Sequence, residues 1–436
     1  MGRVGVALAL AMASWLGVVA APARNASADQ FCQGDLGQSV DGPRPPGPGM
    51  RFGIYPGGPA GQLVLPAGAT PESQAAIDAA LDELRPPGGP FVVHLYRSYT
   101  GTGTDAEEEA VAAGLVSHYT GLGYEVEYVL RYKVAGGGDV PAYVAWVRDV
   151  VHRYGANPGV IGFQVTNEVN FTISGDSSDG TFTGGRDALI QGVEAAKAQV
   201  LADGYGQVGI GFNWFYRSDP SNEDDFWTYL HDHGGPEFAA ALDWVGLDAY
   251  PGTFFPPAPG TETGAIINAL TVLRDCFLPQ AGISDNIDIH VQENGWPTGP
   301  GRTEADQAAS LQTMVNDFDL LRRKHHVTDY RWFDLRDADS ASPNFQQQYG
   351  IMDDAYQPKP AFFAYRDLVH ALSMTYAEEP GPRPSPSPAV PAGDSTLPDT
   401  RGAAAPAVAA LAAGGVGAAG VIALGTTRRR RRSTMR

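Results

Sequence analysis

The sequence predicts an α/β fold, a parallel (β/α)8 barrel of the TIM-barrel type, between Arg51 and Leu372. Short apolar segments alternate there with helical stretches eight times, and parallel neighbouring strands need helical crossovers of this kind. Eight repeats favour closure into a barrel over an open sheet. The first strand is followed by Tyr55-Pro56-Gly57-Gly58-Pro59, whose prolines lack the N–H groups of a phosphate-binding turn. An open nucleotide-binding sheet is therefore disfavoured.

The predicted strands are short runs rich in β-branched and aromatic residues. In chain order they are Arg51–Tyr55, Phe91–Arg97, Tyr124–Arg131, Val160–Asn167, Gln207–Trp214, Trp244–Tyr250, Ile287–Gln292 and Thr328–Leu335. In such a barrel the C-terminal strand ends form one rim, where catalytic residues gather. The strand ends are therefore the first place to search for chemistry.

The predicted helices lie between these strands, and two have clear start signals. Thr70-Pro71-Glu72 places a cap, a first-turn proline and an acid in sequence, and Thr303-Glu304 repeats the cap and acid. The expected helices are Pro71–Leu84, Ala106–Gly121, Pro141–Tyr154, Arg186–Ala202, Asp224–Ala241, Thr263–Leu278, Glu304–Lys324 and Lys359–Leu372.

Composition and charge exclude several classes of protein. The 436 residues are 43% apolar, which suits a large core, and 49 acids against 30 bases give a net charge of −19. Ten of the 30 basic residues but only three of the 49 acids lie in residues 1–30 and 382–436. The body between them is therefore strongly acidic and would repel a phosphate backbone, so no nucleic-acid partner is expected. Two cysteines, Cys32 and Cys276, provide no cysteine-based zinc site. We predict no metal and no cofactor, and leave open whether these cysteines pair.

The N-terminal residues 1–28 have the pattern of a secretory signal peptide. Arg3 precedes the apolar run Val4–Ala20, and small residues suited to cleavage follow at Ala21-Pro22-Ala23 or Ala26-Ser27-Ala28. A first transmembrane helix is the alternative. A leader at 29–50 and a catalytic domain at 51–376 are expected to follow.

The C-terminal part is predicted to hold the protein at the cell surface. A Pro/Ser-rich linker spans 377–396, and the segment 397–436 contains Leu397-Pro398-Asp399-Thr400, the apolar run Gly402–Gly425 and the basic cluster Arg428–Arg432. This order resembles a Gram-positive Leu-Pro-x-Thr-Gly sorting signal, with Arg401 in place of the glycine. The resemblance implies a sortase and the cell wall as partners; a plain membrane anchor is the alternative.

Two predicted strands end in a glutamate. Alternation along the fourth strand places Gly162, Gln164, Thr166 and Glu168 on one face, which aims Glu168 at the barrel mouth. Glu293, at the end of the seventh strand, is in phase with apolar residues, so a bulge would be needed to turn it inward. Two carboxylates facing each other across a barrel mouth suit glycoside hydrolysis.

Here the sequence resembles the clan A glycoside hydrolases, whose signature is Asn-Glu after strand four and Glu after strand seven. The resemblance covers nearly all of Arg51–Leu372, and Glu293-Asn294-Gly295-Trp296-Pro297-Thr298 is most similar to the family 17 β-1,3-glucanases. It implies a retaining mechanism in which Glu168 is the acid/base and Glu293 the nucleophile. Asn167 would hold the sugar 2-hydroxyl, and Tyr250 would hydrogen-bond Glu293.

Further candidate substrate-binding residues lie on or directly after other predicted strands. Arg97 is expected to keep Glu293 ionised, with a structural ion pair as the alternative. Trp332 or Phe333 is expected to form a stacking floor, and Trp214 and Trp296 are further candidates, with core packing as the alternative for the tryptophans. Arg131 and Asp248 lie where the clan has histidines, and His94 is interpreted as structural.

The sequence therefore predicts an exported, surface-retained retaining β-glycoside hydrolase acting on a β-linked polysaccharide, with β-glucan favoured. Another clan A activity (mannanase, galactanase or exo-glycosidase) and a catalytically inactive carbohydrate-binding protein on the same fold are the alternatives. The separation of the two carboxyl groups distinguishes the possible mechanisms. About 5–5.5 Å suits a retaining enzyme, roughly 6.5–9.5 Å suits an inverting one, and a much larger separation would count against catalysis.

Overall fold

A computed structural model describes residues 40, 42–58, 70–101, 105–136, 138–217, 223–253 and 259–375. The predicted signal peptide, linker and sorting signal lie outside the described residues, as does most of the leader. Within the described ranges no helix combines the length and apolar character needed to span a membrane. Cys276 is disulfide-bonded, and the chain's other cysteine, Cys32, lies outside the described residues.

The described residues form the predicted (β/α)8 barrel. Parallel strands close in sequence order, β1 pairing with both β2 and β8. The strands are β1 Arg51–Ile54, β2 Val92–Tyr99, β3 Glu125–Tyr132, β4 Val160–Val165, β5 Gly209–Phe215, β6 Trp244–Ala249, β7 Asp288–Asn294 and β8 Val327–Trp332. All eight predicted strands are present, with ends that differ by up to three residues, the largest difference being at the end of β8.

The described helices follow the predicted order. They are α1 Gln74–Leu84, α2 Asp105–Gly121, α3 Val140–Gly155, α4 Gly185–Asp203, α5 Asp224–Ala241, α6 Glu262–Val272, α7 Glu304–His325 and α8 Pro360–Leu372. The predicted start of α1 at Pro71 is wrong, because the Ser73 side chain accepts from the Ala76 N–H and begins the helix later. At α7 the predicted start is confirmed by a capping box between Thr303 and Asp306.

Alternation along the strands separates two environments. Outward side chains such as Phe163, Trp214 and Trp332 join the main apolar core between the barrel and its helices. Inward side chains are largely polar and include a charged layer of Glu127, His94 and Arg331. Above that layer, toward the C-terminal strand ends, lies the mouth.

Candidate active site

Glu168 is presented by a tight elbow after β4. The strand ends at Val165, and Thr166 (φ 62°) and Glu168 (φ 47°) both adopt left-handed backbone conformations. The predicted extension of β4 through Asn167 is therefore wrong, and simple alternation is not what directs Glu168. Left-handed conformations are costly for residues other than glycine and need support from their surroundings.

Asp179 supplies much of that support. Its Oδ2 accepts hydrogen bonds from the backbone N–H of Asn167 (2.9 Å) and of Tyr132 (2.7 Å), and its Oδ1 accepts from Arg131 Nε (3.0 Å). A second clamp is Asn213 on β5, whose Oδ1 accepts from the Glu168 N–H at 2.8 Å. The elbow is thus fixed from two neighbouring strands.

Glu293 reaches the mouth because β7 contains an irregularity. Leu247 and Asp248 are adjacent on β6 but pair with Val291 and Glu293, so one residue of β7 is skipped. The pairing of β7 with β8 shifts at the same place. This is the bulge that the phase of the sequence requires for an inward-facing Glu293. Gly295 then allows close packing, since a Cβ there would lie 2.4 Å from the Phe333 carbonyl oxygen.

Each carboxylate oxygen of Glu293 receives one tyrosine hydroxyl. Tyr250 donates to Oε2 at 2.5 Å, the hydrogen bond that the clan A resemblance implies, and Tyr96 donates to Oε1 at 2.5 Å. Hydrogen bonds of this length are typical of an ionised acceptor. Tyr96 was not predicted from the sequence.

A third carboxylate lies beside the predicted pair. Among the described residues, Glu168, Asp248 and Glu293 are buried and each offers a carboxylate oxygen within 4.8 Å of the others. Asp248 is fully buried, accepts from Asn213 Nδ2 through Oδ2 and has no hydrogen-bond partner for Oδ1. Burial and the neighbouring Glu293 charge raise the pKa of Glu168 well above its usual range, although Arg131 opposes the shift.

The pKa of Asp248 is raised in the same direction, by burial, then by Glu293 and Glu168, against a hydrogen bond from Asn213. These three acids are also the group, in the described part of the chain, whose oxygens are close enough to share a cation. The raised pKa values of Glu168 and Asp248 favour the protonated forms of these two acids beside Glu293. The site is therefore suited to acid–base chemistry.

Asn167 is held by its neighbours in the site. Its Oδ1 accepts from Gln164 Nε2 (3.0 Å) and Asn213 Nδ2 (2.9 Å), and its Nδ2 donates to the Ser177 carbonyl (2.8 Å). Among the described residues, the hydrogen bonds of Asn167 Nδ2 use one of its two amide hydrogens. Asn213 links this residue to Asp248, so one polar chain connects the ends of β4, β5 and β6.

The structure does not bring four of the predicted binding residues to the carboxylates. Arg97 forms an ion pair with Glu109 and lies over the Trp146 ring, because its side chain points outward from β2. Trp214, Trp296 and Trp332 are at most 1% exposed and belong to the main core. Trp214 donates to Glu223 at 3.0 Å, and the Trp332 ring contacts that of Tyr365 on α8.

Aromatic residues do line the mouth, but they are different ones. A second apolar cluster contains Tyr55, Tyr96, Phe333 and Tyr349, with Tyr250 packed against it. The rings of Tyr55 and Phe333 are stacked with centroids 5.4 Å apart. Phe333, the sequence alternative to Trp332 as a stacking floor, thus lies on the same side of the barrel as the carboxylates.

Sequence reasoning missed Tyr96, Asp248 and Asn213. A usable signal was present for Asn213 and Asp248, because each is the polar side chain of an otherwise apolar strand. His94 and Tyr96, two residues apart, share the inward face of β2, which places Arg97 on the outward face.

Comparisons with known proteins point to glycoside hydrolases. No family model matches the chain. It is 22% identical over 234 residues to a probable glucan endo-1,3-beta-glucosidase of Aspergillus niger, covering 52% of this chain and 46% of that protein. A protein of the same name from Aspergillus terreus is 27% identical over 145 residues, or 33% of this chain and 28% of the relative. The chain thus spans about half the length, or less, of the curated relatives it matches.

Among solved structures, a family 39 glycoside hydrolase from Bacteroides cellulosilyticus WH2 matches with a TM-score of 0.50. It is 15% identical and covers 75% of this chain and 64% of that one. At this identity the likeness concerns the fold, and the fold is the (β/α)8 barrel.

Proposed function

We propose that this protein is a retaining β-glycoside hydrolase that cleaves a β-linked glucan, with Glu168 as acid/base and Glu293 as nucleophile. The observation that carries the proposal is the contrast between two carboxyl groups with oxygens within 4.8 Å of each other. Glu293 accepts two tyrosine hydroxyls, whereas the pKa of Glu168 is raised by burial and by the charge of Glu293. Carboxylate oxygens this close favour the retaining class, whose carboxyl groups lie about 5–5.5 Å apart, over the inverting class at roughly 6.5–9.5 Å.

In the first step, the Glu168 carboxyl gives its proton to the glycosidic oxygen while a Glu293 oxygen bonds to the anomeric carbon. The C–O bond to the leaving sugar breaks with its electron pair, and a covalent glycosyl-enzyme remains. In the second step, Glu168, now ionised, takes a proton from water. The water oxygen bonds to the anomeric carbon, Glu293 leaves, and both carboxyl groups return to their initial states.

Tyr96 and Tyr250 stabilise Glu293 as a carboxylate before attack and as a leaving group after it. The one free amide hydrogen of Asn167 and the unpartnered oxygen of Asp248 are suited to hydroxyl groups of the bound sugar. The Tyr55–Phe333 pair offers an apolar wall beside them. A neutral glycan fits a chain with a net charge of −19 better than a polyanionic one.

The glucan preference comes from the relatives, which are named as glucan endo-1,3-beta-glucosidases. The test is to incubate the full chain with β-1,3-glucan, β-1,4-glucan, β-mannan and β-galactan, and to follow new reducing ends and the anomer first formed. We expect release from β-1,3-glucan with the β-anomer as first product, lost in Glu168→Gln and Glu293→Gln. Glu237→Gln, an exposed acid on α5, is the matched control and should keep full activity.

Absence of release from every glucan, mannan and galactan would reject the enzymatic function. Undiminished release by either variant would reject the assigned pair, and a first product of the α-anomer would reject the retaining mechanism. A preference for mannan or galactan would correct the substrate alone.

We also propose that the protein is exported and held at the cell surface by its C-terminal segment. The order of Leu397-Pro398-Asp399-Thr400, apolar run and arginine cluster supports this. Fractionation of producing cells tests it. Release by wall-digesting enzymes would indicate sortase attachment despite Arg401, whereas extraction by detergent alone would indicate a membrane anchor. Recovery in the soluble cell interior would contradict both.

A further inference from the structure

Behind the nucleophile, a hydrogen-bonded chain continues into the barrel interior. Tyr96, which donates to Glu293, also lies 3.1 Å from His94 Nε2, and His94 Nδ1 lies 3.0 Å from Glu127 Oε1. Each of His94, Tyr96 and Glu127 is 1% exposed. His94 and Glu127 are register partners on β2 and β3, so neighbouring strands fix the chain.

Counting protons along this chain defines the state of His94. A tyrosine hydroxyl carries one proton, and Tyr96 uses it on Glu293. The Tyr96 oxygen therefore accepts from His94, so Nε2 must carry a hydrogen. Glu127 is an ionised acceptor, so Nδ1 must carry one as well. With both ring nitrogens donating, His94 is an imidazolium.

The surrounding charges are consistent with a cationic His94. Around it, β3 contributes Glu127, β8 contributes Arg331 and Asp329, and β7 contributes His290. Arg331 Nη2 lies 3.4 Å from Glu127 and 2.7 Å from Asp329, and His290 lies 3.6 Å and 3.3 Å from the same two acids. The two acids of this layer, Glu127 and Asp329, therefore lie among Arg331 and two histidines.

The acids of this layer remain ionised. Burial alone would raise the pKa of Glu127, but Arg331 and hydrogen bonds from His290 and His94 outweigh it and hold that pKa well below its usual range. The pKa of Asp329 is likewise lowered despite its burial, by His290, Arg331 and Arg51. Glu127 therefore accepts but does not donate to His94.

We infer that His94 is a positioning residue for the nucleophile: as a buried imidazolium it directs the Tyr96 proton toward Glu293. This inference rests on the proposed function, in which Glu293 is the nucleophile. A neutral His94 with a bare Nε2 would accept the Tyr96 proton itself. Glu293 Oε1 would then face a hydroxyl oxygen at 2.5 Å without a shared hydrogen.

The first test reads the proton directly and needs no substrate. In the full chain labelled with ¹⁵N-histidine, His94 should show two protonated ring nitrogens and two downfield N–H signals at neutral pH. Signals lost in His94→Gln and retained in His118→Gln, a partly exposed histidine paired with Asp78, assign them. A bare Nε2 at neutral pH overturns the inference, and this measurement on the unmodified chain decides the matter even where His94→Gln does not fold.

The second test is kinetic. His94→Gln keeps an amide donor without the charge, and we expect kcat to fall about 10- to 100-fold with little change in KM. His118→Gln should keep the kcat and KM of the unmodified chain. In Tyr96→Phe the His94→Gln substitution should add almost nothing, because His94 acts through Tyr96.

The possible outcomes separate two failures. If the effects of His94→Gln and Tyr96→Phe on kcat multiply in the double variant, the inference is overturned while hydrolysis itself stands. Imidazolium signals in a chain that cleaves no glycan would instead overturn the proposed function and leave the assignment of the His94 protons standing.

Discussion

The ends of β4 and β7 each present a glutamate to the same mouth, but in opposite ways. Glu293 sits on a strand bulge and is held by two tyrosine hydroxyls. Glu168 sits on a left-handed elbow, and within the described residues its carboxylate oxygens receive no hydrogen bond, while its backbone is clamped by Asn213. The end of β7 supplies hydrogen bonds to the Glu293 carboxylate. The end of β4 fixes the position of Glu168 through its backbone and supplies none to its carboxylate.

The difference shows how one barrel gives two similar acids different electrostatic surroundings. Hydrogen bonds to the charged form favour ionisation, whereas burial beside a like charge favours the proton. The backbone supplies the placement at β4, so the Glu168 side chain needs no donors that would lower its pKa. Each of the following predictions alters one side of this contrast.

The largest effect is expected from removing the carboxyl groups themselves. Glu293→Ala should lower kcat/KM by about 10⁴-fold or more, because no glycosyl-enzyme forms. Glu168→Ala should lose about 10²–10⁴-fold on polysaccharide but much less on an aryl β-glycoside, whose leaving group needs no proton. Steady-state kinetics on both substrates measure this.

Azide distinguishes the two roles further. It should restore turnover with an α-glycosyl azide as product of Glu293→Ala and a β-glycosyl azide as product of Glu168→Ala. If Glu293→Ala gave the β-glycosyl azide and Glu168→Ala the α-glycosyl azide, Glu168 would be the nucleophile and Glu293 the acid/base.

A smaller but still large effect is expected at the β4 elbow. Asp179→Asn leaves Arg131 buried without its charged partner and replaces an acceptor of two backbone N–H groups. Loss of one partner of a buried ion pair costs about 3–5 kcal/mol. Denaturant unfolding measures the free energy, and kcat should fall with it as Glu168 loses its support.

The matched control is Asp225→Asn, which removes an ion pair with Arg186 from an acid that is 82% exposed. Such surface pairs contribute at most about 1 kcal/mol. Equal losses of stability in the two variants would show that Asp179 does not clamp the elbow.

At the β7 end, Tyr250→Phe removes one of two donors to Glu293. A hydrogen bond to a charged group contributes about 1.5–3 kcal/mol, so kcat/KM should fall roughly 10- to 100-fold with the fold unchanged. Tyr229→Phe, which removes a hydroxyl bonded to Asp187 between helices, controls for loss of a tyrosine hydroxyl elsewhere. An unaffected rate in Tyr250→Phe would mean that Tyr96 alone holds the nucleophile.

The barrel could be predicted from the sequence because the alternation of strand and helix patterns is repeated eight times. Strand ends are less well determined: β2 continues to Tyr99 and β4 stops at Val165, since a strand end depends on what pairs beside it. Glu168 and Glu293 were found because an acid after an apolar strand is conspicuous, although the elbow and the bulge that aim them are local backbone features.

The remaining site residues were missed for one physical reason. Side-chain direction alternates along a strand, so a prediction of strand position without the inward face assigns the wrong neighbour. Arg97 was predicted where Tyr96 lies, and Trp332 was paired with Phe333 as an equal alternative. Trp214 is adjacent to the inward Asn213 and itself faces the helices. The predicted binding residues include three large tryptophans, whereas the inward positions beside the carboxylates carry smaller polar side chains such as Asn213 and Asp248.

The smallest expected effect concerns stability and its pH dependence. The pKa of Glu168 is raised in the folded state, so its contribution is fully present below the unfolded pKa and is lost as pH rises through the folded pKa. Glu168→Gln cannot ionise and escapes this loss. Relative to the unmodified chain, its Tm should therefore gain roughly 2–4 °C between about pH 4.5 and pH 8, while the exposed Glu237→Gln gains nothing. If the difference in Tm between Glu168→Gln and the unmodified chain is the same at both pH values, Glu168 is ionised in the folded protein. The proposed difference between the carboxyl groups at the ends of β4 and β7 would then be wrong.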